Sequence, residues 1–173
     1  MALIIEDGSG VAGANTYASV AALREYAALR GITLPVDDLS CEVLLIKAMD
    51  YFDSVVGWQG VKANPDNPLD FPRTGVVVDG VTLPSTAIPS ILIQAQVTLA
   101  TEANKTDLMP NEMPNDKGAI IEASAQTGTH VKYAAPIATN IRTKPFFAKV
   151  DGLLSKLLSS GGGFARPVWI TRA

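Results

Sequence analysis

Cysteine and histidine are almost missing from this chain of 173 residues, which holds one of each, Cys41 and His130. A lone cysteine excludes an internal disulfide, and so few sulfur and imidazole groups argue against the clustered ligands of a structural zinc site. A reducing compartment is expected. No apolar run reaches the roughly 18 residues of a membrane span, and the opening MALIIEDGSG carries acids where a secretory leader has a basic start. These absences predict a soluble, unprocessed protein with no membrane attachment. Charged residues make up only 18% of the chain and hydrophobic ones 47%, outside the composition of disordered chains. The length suits a single core that buries about 70% of the unfolded surface.

Catalytic constellations are missing as well. GSG and GGG lack the Lys-Ser/Thr ending of a phosphate loop, and no Ser or Cys stands in a nucleophile elbow that would pair with His130. Asp50 and Asp53 lie three apart with no third ligand nearby, which is weak ground for a metal. Cys41 falls at the start of a helix beside an apolar stripe and reads as core rather than as a reactive thiolate. No enzyme activity, cofactor or metal is expected.

What is present is a lopsided charge. Residues 1–130 hold sixteen acids against seven Lys or Arg, whereas residues 131–173 hold seven Lys or Arg against Asp151 alone. A cationic last quarter on an acidic body points to a polyanion or an acidic protein surface, with a solvated face as the alternative. The same quarter contains Tyr133, Phe146, Phe147 and Trp169, and cations with aromatics are the parts of a single-strand platform. Its lysines are spaced too widely to define a groove.

Along the chain, residues 1–15 read as an extended arm. Ser19 caps a helix that stops at Gly31, Ser40 caps a second helix through about Val56, and Pro89 lies in the first turn of a third with Ile91, Ala95, Leu99 and Ala103 at steps of four. Seven Gly or Pro between Trp58 and Ile88 forbid a helix and leave a long loop over 58–88, with room for a hairpin in VVVDGVTL. Residues 118–136 suit a hairpin around Gly128. A last helix from near Thr143 runs to Leu158, weakened by Gly152, before Gly161-Gly162-Gly163 acts as a hinge. The fold expected is mainly α: a small bundle of three or four helices with a short β-hairpin, a long irregular loop and extended terminal arms. Residues 1–160 form the domain and 161–173 a docking tail, in which Phe164, Trp169 and Ile170 interleaved with Arg166 and Arg172 have the composition of binding anchors.

Four stretches match a family pattern together: IIEDGSGVAGANTYASVAALREYAALRG, AMDYFDSVVGWQGVK, LDFPRTGVVVDG and IPSILIQAQVTLATE. Within them stand Trp58 and Gly60, the Phe71-Pro72-Arg73 triplet and Ile88-Pro89. On these residues, over about two thirds of its length, the chain resembles the head-to-tail adaptor or connector proteins of tailed bacteriophages. Some relatives of that family carry the label DnaT-like single-stranded DNA-binding protein. The resemblance implies a structural virion protein, assembled in the host bacterial cytoplasm, forming a probably twelvefold ring of copies of itself beneath the portal. Its other partners would be the portal protein, tail or stopper/terminator proteins, and genomic double-stranded DNA passing without sequence preference. On that view Phe164, Arg166, Trp169, Ile170 and Arg172 dock on the portal, and Lys132, Lys144 and Lys149 face the channel. The alternative is a DnaT-like replication protein that binds single-stranded DNA.

Overall fold

In a computed structural model of the chain, the described residues are 2–109, 120–124, 130–133 and 147–163. Two compact units emerge. One comprises Met1–Leu108 with Phe146–Arg166, and the other Met109–Pro145 with Pro167–Ala173.

The first unit is built around three helices. Helix α1 (Val20–Ala28) starts where the Ser19 side chain accepts the Ala22 N–H at 3.1 Å, satisfying one of the orphan donors of a helix start. Helix α2 (Asp38–Phe52) is capped by Asp37, not Ser40: the Asp37 carboxylate accepts the Ser40 N–H at 2.8 Å. An Asp and a Ser three residues apart are both good caps, and the upstream one wins here because it gains an extra turn. Helix α3 (Ser90–Ala103) follows Pro89 and is buried on most of its circumference, including Leu92, Ala95, Gln96, Leu99 and Ala100. It packs against α1, α2 and the short helix α4 (Ala148–Leu154). The core lies between these helices, where Leu23, Leu45, Tyr51, Leu92, Leu99, Val150 and Leu154 are almost fully enclosed.

The stretch expected as an irregular loop is largely paired. Strand β1 (Val56–Trp58) runs antiparallel to β8 (Leu158–Gly163), β2 (Val61–Lys62) to β3 (Arg73–Thr74), and β4 (Val77–Val78) to β5 (Val81–Thr82). Asp79 and Gly80 join β4 to β5 with φ of 50° and 83°, the two positive dihedrals that a type I′ hairpin turn requires. In the second unit β6 (Ile120–Ser124) pairs antiparallel with β7 (His130–Tyr133).

The mainly α expectation is therefore corrected: the described residues hold four helices and four two-stranded antiparallel ladders. Gly and Pro exclude helix from 58–88, but strands of two or three residues are too short to show the alternation by which a strand is read. The Gly-rich hinge is likewise corrected through Gly163, because β8 docks on β1. Gln59 secures that edge, its N–H reaching Leu157 O at 2.9 Å and its Nε2 reaching both Lys156 O and Leu158 O at 3.2 Å. Helix α4 is correspondingly shorter than its leucine stripe predicts.

The N-terminal arm is also tied down over its described length. Glu6 is buried, and its carboxylate accepts the N–H groups of Gly8, Gly10 and Val11 at 2.8, 2.9 and 3.0 Å and Asn67 Nδ2 at 3.2 Å. Those four donors occupy the strong acceptor directions of that carboxylate, with no cation on it among the described residues. Asn15 clamps the chain start, accepting the Ile4 N–H at 2.9 Å and donating to Ala2 O at 3.3 Å.

Candidate functional site

Trp58, Gly60, Phe71 and Arg73 of the signature lie in and beside the β1–β3 segment and hold structure. Trp58 stacks edge-on against Phe71 at 5.4 Å and against Phe52 at 6.4 Å. Phe71 is buried, and its N–H donates to the hydroxyl of buried Tyr17 at 3.0 Å. The Phe71–Pro72 bond is cis. Arg73 spends its guanidinium on backbone carbonyls, reaching Gln59 O at 2.7 Å, Gly60 O at 2.8 Å and Asp70 O at 3.3 Å. Gly60 has φ of 66° and lies against the Thr74 carbonyl so closely that a Cβ would overlap it. Pro89 occupies the cap position of α3. A guanidinium with three carbonyl partners is a strut between loops, not a free anion site.

A different cluster offers exposed cations beside aromatic rings. α1 brings Tyr26 and, just past its end, Arg30. α3 contributes Thr98, Thr101 and Glu102, and the start of α4 contributes Phe147 and Lys149. Tyr26, Thr98, Thr101, Glu102, Phe147 and Lys149, together with Ile32, line a cleft of about 300 Å³, and Arg30 stands at it through the Tyr26 ring. The Arg30 guanidinium lies 3.7 Å over the Tyr26 ring and its Nη1 donates to Tyr26 O at 3.2 Å. Lys149 Nζ donates to the Tyr26 hydroxyl at 2.8 Å, and Thr98 Oγ1 shares the same hydroxyl at 2.8 Å. Phe147 is half-buried, with its ring edge-on to Tyr51 at 5.5 Å. Glu102 is held by Lys105 at 3.0 Å.

The electrostatics of the cleft follow from that geometry. Burial raises the Tyr26 phenol, but the hydrogen bonds with Lys149 and Thr98 and the positive charges of Lys149 and Arg30 outweigh it, and the net shift is downward. A phenol pulled down by two cations reports a positive local field. Arg30 and Lys149 are both exposed, so their outer faces remain open to an anion or to a stacked planar group.

Of the residues singled out in the sequence, Lys149 lies in this cleft. Lys132 sits in β7 of the second unit, opposite Glu122 in the ladder. Lys144 and the tail residues Phe164, Arg166, Trp169, Ile170 and Arg172 lie outside the described residues. Tyr26 and Arg30 were missed: Tyr26 reads as part of an apolar stripe, yet an aromatic and an arginine four apart at a helix end was a visible signal. Cys41 is fully buried, and that burial pushes its thiol up, away from nucleophile chemistry. Asp53 is pushed up by burial and by the neighbouring carboxylates of Asp70 and Asp50. Among the described residues no group of three or more His, Cys, Asp or Glu is placed to hold a metal ion, and no helix is long and apolar enough to cross a membrane.

Comparison with curated proteins and with solved structures finds no match. A family model described as "Putative DnaT-like ssDNA binding protein" matches residues 1–173, the whole chain. The chain belongs to that family. This corrects the connector assignment, together with its portal and tail partners, its ring of copies and its passage of double-stranded DNA: the family matched is the one that entered the sequence reading as the alternative.

Proposed function

We propose that this member of the DnaT-like family binds single-stranded DNA, and that the Tyr26–Arg30–Lys149 cleft is where the strand lies. The family match over the full length carries the reading. The cleft supports it with the chemistry that a single strand needs: exposed cations for phosphates beside planar groups for bases. Lys149 and Arg30 take successive phosphates, and Lys105 lies at the same end of α3. The Arg30 guanidinium, already 3.7 Å over the Tyr26 ring, presents its outer side to a base. Half-buried Phe147 and Ile32 supply an apolar floor that excludes water without selecting a base. Recognition is therefore independent of sequence, since phosphate contacts position a strand but read no base edges.

Fluorescence anisotropy with a labelled oligothymidine of about twenty nucleotides tests this against a duplex of equal length. Binding is expected to favour the single strand and to weaken with salt, with a log–log slope of about −1.4 for two phosphates neutralised. No binding to the single strand at low salt, or equal binding to the duplex, sinks the proposal.

A further inference from the structure

The outer face of α2 carries an apolar groove on a different part of the first unit. Its inner face supplies the core through Cys41, Leu44, Leu45, Ala48 and Met49. The outer face continues with Leu39, Val43 and Ile46 at steps of four and three, a ridge along one side of the helix. Leu39 is 62% and Val43 49% exposed. The arm clamped by Asn15 forms the opposite wall with Ala2 and Leu3, and the space between is about 280 Å³. Two walls of aliphatic side chains with no described residue between them leave apolar surface in water.

One polar atom in the lining is out of place. Glu42 projects from the same face, and its Oε2 is buried without a hydrogen-bond partner among the described residues. A carboxylate oxygen enclosed this way loses hydration with no compensation. Asp50 lies two turns further along, so among the described residues the groove holds two carboxylates against the ammonium of Lys47. The occupant that completes it has aliphatic side chains for the ridge and a cation for Glu42. A second copy presenting the same face would add its own excess of carboxylate over ammonium to this one, because a two-fold contact pairs a patch with itself.

We propose that the groove between the N-terminal arm and α2 is a docking site for a basic, amphipathic segment of a partner protein, whose aliphatic ridge packs on Leu39, Val43 and Ile46 while an arginine or lysine pairs with Glu42. This is the helix-in-groove mode, with the charge fixing register. It does not depend on single-strand binding.

The test is an NMR titration of the isotope-labelled full chain with two capped peptides, ALLRALLA and ALLEALLA. Saturable shifts are expected at Leu3, Asn15, Leu39 and Val43 with the arginine peptide, about fivefold weaker with the glutamate peptide, as for one charge-assisted contact. Glu42→Gln should bring the two peptides together without disturbing the fold, and Val43→Asp should abolish both titrations. Absence of saturable shifts at these positions, or equal affinity of the two peptides for the unmodified chain, overturns the proposal. So do the same shifts arising when the protein alone is concentrated, which would make a second copy the occupant.

Discussion

Lys149 donates to the hydroxyl of Tyr26 at 2.8 Å across a sequence separation of 123 residues. This bond ties the start of α4 to the end of α1 and sets a lysine from the basic last quarter on the same tyrosine as Arg30, which belongs to the acidic body. A cationic cleft thus forms in a chain of net charge −3.

Arg30→Ala and Lys149→Ala should each weaken single-strand binding several-fold and lower the magnitude of the salt slope by about 0.7. The double variant should bind more weakly than either. Anisotropy titrations at several salt concentrations measure both quantities, and unchanged slopes would move the strand away from this cleft.

The Lys149 ammonium is one cause of the lowered Tyr26 phenol. Lys149→Met removes that cation and its hydrogen bond while burial persists, so the phenol should rise. Ultraviolet titration of tyrosinate should show one tyrosine ionising later in the variant. Superimposable titration curves would show that the two groups are not coupled.

Burial pushes the Tyr17 and Tyr51 phenols well above the ordinary tyrosine value of 10.0. The unfolded chain therefore releases these protons first. Their contribution to stability is complete below about pH 10 and falls above it, by up to about 1.4 kcal/mol per pH unit per tyrosine until the folded groups also ionise. Tyr51→Phe should flatten the alkaline limb of a urea-midpoint profile, leaving the shape between pH 6 and 9 unchanged, as rough bounds below the titration range.

Gln96 is fully buried on α3. It accepts the Tyr17 N–H at 3.0 Å and donates to Thr16 Oγ1 at 2.8 Å and Leu45 O at 3.3 Å. Gln96→Leu preserves approximate size but strands a buried N–H and weakens two further contacts, at a cost of about 2 kcal/mol or more. Chemical denaturation should show this loss, and a neutral result would mean that water or a shifted backbone replaces the amide.

Two glycines should respond in opposite directions to alanine. Gly60→Ala places a Cβ against the Thr74 carbonyl at a positive φ, costing at least about 1–2 kcal/mol from the left-handed backbone alone. Gly152 sits in α4 with open space around it, so Gly152→Ala should stabilise by about 1 kcal/mol. Thermal melts of the two variants should move apart.

The residues alone determined where the three principal helices lie, since Ser19, Pro89 and the apolar stripes act over one or two turns and need no distant partner. The Phe71-Pro72-Arg73 triplet stood out only through the family resemblance, and Lys149 only as a channel-facing residue of the connector assignment that the family match corrects. Only the tertiary structure decided that Gln96 is core, that Glu6 folds the arm into a carboxylate-centred loop, that the stretch after Trp58 forms paired strands, and that Arg30 and Lys149 share Tyr26. A polar side chain is legible as exposed until the distant groups that satisfy it are known, and two-residue strands exist only by virtue of the partner that supplies their hydrogen bonds. Such pairings depend on how remote segments close on one another, a property that local periodicity does not carry.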